Sequence, residues 1–220
     1  MWNSTLFPDA QAFTQWLHDR GLKVIVNTHD YSGIDHCQGD VYAAAAAIVG
    51  QDPASNVTIP CNIQNKTYAT ALLQAALLPL TNGSSSSIDW FWTDWGKDAG
   101  VWYGFHSHHS VFCNILSMYR CPADTGAQPM LWSNYVHHQL LQQQGKRGLV
   151  LTPYGGLGNH RFPQVGSGDT DVAYATLEFQ VYQTATAANV LTHWTHDLGG
   201  FHQSSFVWPT PELWLRWLQV

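Results

Sequence analysis

The sequence predicts an α/β fold of parallel strands joined by helices, a (β/α)8 barrel (TIM barrel) of which only part is present. Three observations carry this. Helical and extended patterns alternate in the order helix, strand, helix, strand, helix, strand, short strand, helix, strand, helix, which is what parallel strands with right-handed crossovers produce. The run Ile88–Trp95 is short and almost wholly apolar, and reads as a strand buried on both faces, the kind found under a layer of helices. Five strands are legible, and a closed eight-stranded barrel takes about 250 residues, so the 220 residues here are expected to be a piece of one. The final helix points the same way, because Leu213, Trp217 and Leu218 need a partner surface and no glycine caps it. An open five-stranded sheet would also leave two bare edges. The whole of 1–220 is expected to form one partial barrel.

Each element has its own signal. Pro8-Asp9 opens a helix whose apolar face is Phe13, Trp16 and Leu17, and Gly21 stops it. Leu22–Asn27 reads as a buried strand, followed by an irregular stretch from Thr28 to Gln64 in which Val41–Val49 forms a short helix. Tyr68–Leu78 is helical and Pro79 should end it. Asn82-Gly83 and four serines form a flexible connection into the Ile88–Trp95 strand. Residues 96–128 are loop-like, Met130–Gln144 is helical, and Gly145 ends that helix. Gly148–Thr152 is a strand, Gln164–Asp169 a brief strand or turn, Asp171–Ala188 a helix, Asn189–Thr195 a strand and Pro211–Val220 a last helix.

Composition narrows the function. Only 11% of residues are charged, the net charge is −6, and no basic cluster exists, which argues against a nucleic-acid partner. No apolar run approaches the roughly 20 residues that cross a bilayer. Aromatic residues reach 13%, with 11 Trp; some, such as Trp16 and Trp217, sit at helical spacing and read as core. Four cysteines (Cys37, Cys61, Cys113, Cys121) permit two disulfides, whose pairing spacing alone does not give. Four N-glycosylation sequons begin at Asn3, Asn56, Asn65 and Asn82. Together these point to a glycoprotein of the secretory pathway, lysosomal or extracellular; no signal peptide follows Met1, so either the protein is intracellular or its true N-terminus is missing. Nothing in the sequence bears on oligomeric state.

Three carboxylates stand just past strands. Asp94 ends the aromatic run, Asp169 lies in Gly166-Ser167-Gly168-Asp169-Thr170, and Asp197 in Thr195-His196-Asp197-Leu198-Gly199-Gly200-Phe201. The carboxyl ends of strands are where parallel α/β folds place their active sites. A fixed negative charge ringed by Trp suits a sugar, which offers hydroxyls to bond and C–H faces to stack. Two carboxyl groups flanking a glycosidic bond suffice to cleave it. The competing reading makes each Asp a helix cap or turn former, as most loop Asp residues are.

The segments Phe91–Trp95, Tyr154-Gly155-Gly156-Leu157-Gly158-Asn159-His160-Arg161, Ser167–Thr170 and His196–Phe201 resemble those of family 31 glycoside hydrolases. That family includes α-glucosidases and α-xylosidases on a (β/α)8 barrel. The opening, Trp2-Asn3 through Gly21–Val24 to Asn27–Asp30, is similar to the family's third barrel unit, so strands three to seven are expected. The resemblance implies a retaining α-glycosidase with Asp94 as nucleophile and Asp169 as acid/base. It further implies that His196 and Asp197 hold the sugar, with Trp92, Trp95 and Arg161 lining the substrate site. Where the family places an Arg before the Tyr-Gly-Gly turn, this chain has Thr152-Pro153, and the family's Trp downstream of the acid/base is Tyr174. Loss of that Arg opens an alternative: a non-catalytic carbohydrate-binding relative, or an inactive fragment.

Other signals are weaker. His106-Ser107-His108-His109 with Cys113 matches no zinc spacing, and His137-His138, on adjacent helix faces, read as surface residues. Gly155-Gly156-Leu157-Gly158 lacks the rest of a phosphate loop, and no G-x-S-x-G elbow exists. No metal and no cofactor is expected.

Overall fold

The structure, a computed structural model, describes residues 2–30, 33–82, 87–94, 129–153, 158–162, 164–190, 193–201 and 208–220. They form two compact units, Met1–Val150 and Leu151–Val220.

The first unit opens with helix α1 (Ala10–His18), which begins where the Asp9 side chain accepts the Ala12 N–H and ends at Gly21, whose φ of +73° turns the chain back. Strand β1 (Ile25–Thr28) follows, then helix α2 (Asp40–Val49), rich in alanine and closed by Gly50. Helix α3 (Lys66–Ala71), capped by Asn65, runs through a π-helical turn (Leu72–Leu77) into α4 (Leu78–Thr81). Pro79 therefore does not stop the helix as expected. It sits in the first turn of α4, where a missing N–H costs little. Strand β2 (Trp90–Thr93) and helix α5 (Pro129–Gln143) complete the unit.

β1 and β2 are parallel, with Ile25 beside Trp90, Asn27 beside Trp92 and Thr28 beside Thr93. The expectation of strands buried on both faces holds on one face only. Phe91 and Thr93 are buried toward the helices, in a core that includes Val24, Tyr42, Ala45, Ala71, Leu77, Ile88 and Leu141. The opposite face, carrying Ile25, Asn27 and Trp92, is exposed. In a barrel, side chains on that face are covered by those of other strands. Trp16, expected in the core, is half exposed with the Arg20 guanidinium 3.9 Å above its ring; the α1 positions that are buried are Ala10 and Thr14.

The division between units falls inside β3 (Val150–Thr152). In the second unit β3, β4 (Gln164–Gly166) and β5 (Trp194–Thr195) pair in parallel, Leu151 beside Gln164 and Val165 beside Trp194. Helix α6 (Tyr174–Val190) connects β4 to β5, and α7 (Pro211–Trp217) follows, capped by the Thr210 hydroxyl. Leu177, Leu213 and Trp217 form this unit's buried cluster, so the apolar face of the last helix is partly covered within the chain. None of the described helices is long and apolar enough to cross a membrane.

Candidate active site

Asp94 follows β2 directly, and its backbone N–H continues the ladder by donating to Thr28 O at 2.9 Å. By alternation its side chain shares the open face with Trp92. Asn27 Nδ2 donates to Asp94 Oδ2 at 3.0 Å, and His29 Nε2 stands 3.7 Å from the same oxygen. The carboxylate is 12% exposed, while Trp92 is 37% exposed beside it. Asn27 and His29 were not among the residues singled out. The available signal was the same one that marked Asp94: polar side chains at the end of an apolar strand.

The other side of these strand ends is a buried polar layer. Thr93 Oγ1 donates to Asn134 Oδ1 at 2.7 Å and Ser133 Oγ to Asp30 Oδ2 at 2.6 Å. His137 Nδ1 lies 2.8 Å from Ser133 O, an acceptor, which places the ring proton on Nδ1. Its Nε2 then faces the Thr28 hydroxyl at 3.5 Å. The expectation of a surface His137 is corrected: the ring is fully buried and meets Phe91 edge to face at 4.9 Å, because helix α5 turns this position onto β2. Tyr68 is buried close by, and burial, with the Asp30 charge, drives its phenol well above the ordinary range.

In the second unit, Asp169 sits half-buried on the turn after β4. Gly168 adopts φ +67°, and a Cβ there would come 3.0 Å from Pro153 Cβ, so the residue replacing the expected Arg packs against the turn that carries Asp169. Ser167 N–H donates to Thr195 O, tying this turn to the end of β5. The His196–Phe201 loop is locked to the same segment. Phe201 N–H donates to Thr170 O at 2.7 Å, and Gly200, at φ +86°, lies so close that a Cβ would meet Asp171 O at 2.7 Å. Backbone contacts thus bring together the segments that carry Asp169, His196 and Asp197, all three half-buried.

His196 is held by chemistry as well. Trp217 Nε1, fully buried, donates to His196 Nδ1 at 2.8 Å, leaving the ring proton on Nε2. Burial lowers the His196 pKa, with Asp197 pulling partly the other way. A neutral imidazole at this position presents an N–H donor, suited to a hydroxyl oxygen. Arg161 is exposed at the end of the short 3-10 turn Asn159–Arg161. Trp95 lies outside the described residues, as do His106–His109, Cys113 and residues 154–157 of the Tyr-Gly-Gly turn.

Among the described residues one cluster could hold a metal ion: Asp35, His36 and Cys37, with donor atoms within 4.8 Å of one another. Its carboxylate is already used as a cap, accepting from Cys37 N–H at 2.9 Å and from the Thr58 hydroxyl at 2.7 Å. These bonds hold the Asp35 pKa down at about 2.

A family profile described as the glycosyl hydrolases family 31 TIM-barrel domain matches residues 1–220. The fold is accordingly an incomplete TIM barrel. Among solved structures, a cycloalternan-degrading enzyme from Trueperella pyogenes, in complex with a covalent intermediate, superposes with a TM-score of 0.64 at 19% identity over 96% of this chain and 29% of that one. An α-xylosidase from Xanthomonas citri gives 0.61 at 16% identity, over 91% of this chain and 23% of that one. The chain spans about three-tenths of the length of the first of these structures and less of the second. Among curated protein sequences none matches it.

Proposed function

We propose a reading that starts from one fact: the chain belongs to glycosyl hydrolase family 31. On this reading the protein hydrolyses O-glycosidic bonds with retention, as an α-glycosidase. The observation that carries it is the setting of Asp94, at a strand's carboxyl end on the open, Trp-bearing face. Asn27 bonds one carboxylate oxygen, and among the described residues no hydrogen bond occupies Oδ1. A carboxylate oriented through one oxygen, with the other unbonded among the described residues, is equipped to attack.

In this mechanism Asp94 Oδ1 bonds to the anomeric carbon as the glycosidic C–O bond breaks, and Asp169, protonated, gives its proton to the departing oxygen. Asp169 then takes a proton from water, whose oxygen attacks the same carbon and frees Asp94 with the configuration retained. The neutral His196 and Asp197 would hold sugar hydroxyls, and Trp92 would offer a stacking face.

A second reading, a relative that binds carbohydrate without cleaving it, is favoured by one observation. Pro153 packs on the Asp169 turn where the family's Arg would supply donors, and Pro has none to offer. One experiment separates the two. The full-length protein should release p-nitrophenol from an aryl α-glycoside, and Asp94→Ala should lower that rate by about 10⁴-fold or more. Sugar binding by the intact protein with no turnover establishes the second reading instead.

A further inference from the structure

We infer that this chain is an N-glycosylated protein of an oxidising, secretory-type lumen, with glycans on Asn3, Asn56, Asn65 and Asn82. Ten asparagines occur in the sequence, and serine with threonine make up about one residue in seven. Random placement would give one or two sequons, and there are four.

The fold treats these four alike. All are exposed, as Asn27 and Asn189 outside sequons also are, while Asn134 and Asn159 are buried. Asn3 stands in the turn before α1 and Asn65 caps α3; each uses Oδ1 to accept the N–H of its own sequon threonine, at 2.9 Å from Thr5 and 2.8 Å from Thr67. Asn56 follows the short 3-10 turn Pro53–Ser55 in the left-handed conformation, φ +52°, and Asn82 follows α4. For Asn3, Asn56 and Asn65, Nδ2 makes no hydrogen bond among the described residues. Nδ2 is the atom that bonds the sugar, so a glycan there costs the fold nothing.

Cysteine chemistry agrees independently. Cys61 is in a disulfide, which persists in oxidising compartments and is rare in reducing ones. Cys37 is free and exposed.

The covalent step balances with one co-reactant, an oligosaccharide on a lipid pyrophosphate. Asn Nδ2 bonds to its anomeric carbon, the C–O bond to the pyrophosphate breaks, the lipid pyrophosphate leaves with the electron pair, and the amide gives up one proton. Transfer precedes folding, so what the native structure must provide is room, and at Asn3, Asn56 and Asn65 it does.

The test uses protein purified from its own source, treated with peptide N-glycosidase in ¹⁸O water and mapped by mass spectrometry. Glycosylated Asn emerges as ¹⁸O-labelled Asp. Label at two or more of the four positions supports the inference, and label at fewer overturns it. In parallel, the denatured, unreduced protein is alkylated. Modification of Cys37 with none at Cys61 is expected, and full modification at Cys61 overturns the assignment to an oxidising lumen. Neither readout depends on hydrolase activity.

Discussion

The two carboxylates proposed for the chemistry are held in different ways. Asp94 is oriented by side chains, Asn27 and His29, at the end of a strand whose other face rests on a buried polar layer. Asp169 rides on a turn shaped by Gly168 and clamped by main-chain contacts to the Gly199-Gly200 loop. A side chain that orients another can be removed while the backbone stays in place. A backbone clamp has no such tolerance, since any added atom displaces the chain. Substitutions around Asp94 should therefore separate chemistry from folding, and those around Asp169 should not.

The sharpest way to break that comparison is Gly200→Ala. The new Cβ would meet Asp171 O at 2.7 Å and Val172 Cα at 2.8 Å, at φ +86°. Close contact with backbone and a strained dihedral together should cost about 3 kcal/mol, read as a lowered urea midpoint. Gly21→Ala provides the control, because it has a similar φ of +73° with nothing within 4 Å of its Cβ, and should cost only about 1 kcal/mol. Equal losses at the two positions would show that the clamp contributes nothing beyond the dihedral.

The next largest effect belongs to the layer behind Asp94. His137→Ala empties a fully buried site against Phe91 and removes the imidazole donor that Ser133 O accepts beside its helical backbone bond. About 2–3 kcal/mol of stability should be lost, measured by the same denaturation. A smaller cost, under about 1 kcal/mol, would mean that β2 does not rely on this layer.

What the sequence revealed of this arrangement follows from the range of each interaction. The alternation of helix and strand was legible because hydrophobic periodicity is local. So was the placing of Asp94, Asp169 and Asp197 after strands, since each is flanked by its own strand and turn. Asn27 was harder to see, because its role comes from parallel register, which sets it beside Trp92 and within reach of Asp94 across 67 positions of sequence. His137 was misread for a similar reason. Periodicity gives a helix an apolar face, but a buried histidine bonded to its own helix's Ser133 O looks polar in any window. Pro79 was read as a stop because the π-helical turn before it leaves no plain signature in composition. Trp16 has the helical spacing of a core residue, yet Arg20 covers it from the solvent side.

A smaller effect should come from Asn27→Ala. If side-chain orientation is Asn27's whole role, kcat/KM falls about fivefold, worth about 1 kcal/mol for one hydrogen bond, while the denaturation midpoint hardly moves. A loss of stability matching the loss of rate would erase the distinction between the two carboxylate settings.

The finest test compares Asp94 with Asp89, five residues earlier at the other end of the same strand. Asp89 is the structural counterpart, accepting from Val24 N–H at 2.8 Å, Lys23 Nζ at 2.9 Å and His18 Nε2 at 2.8 Å. Burial pushes its carboxyl pKa up, but these three partners outweigh burial and hold it below the ordinary value. A depressed pKa in the fold means the unfolded chain binds the proton more readily. The stabilisation is then complete above about pH 4, the unfolded value, and drains away as pH falls through the lower folded value. Asp89→Asn should melt below the wild type at pH 7, and the gap between them should narrow on acidification below about pH 4. A gap that stays constant with pH would assign the loss to packing, and Asp89 would no longer serve as the strand's charged anchor opposite Asp94.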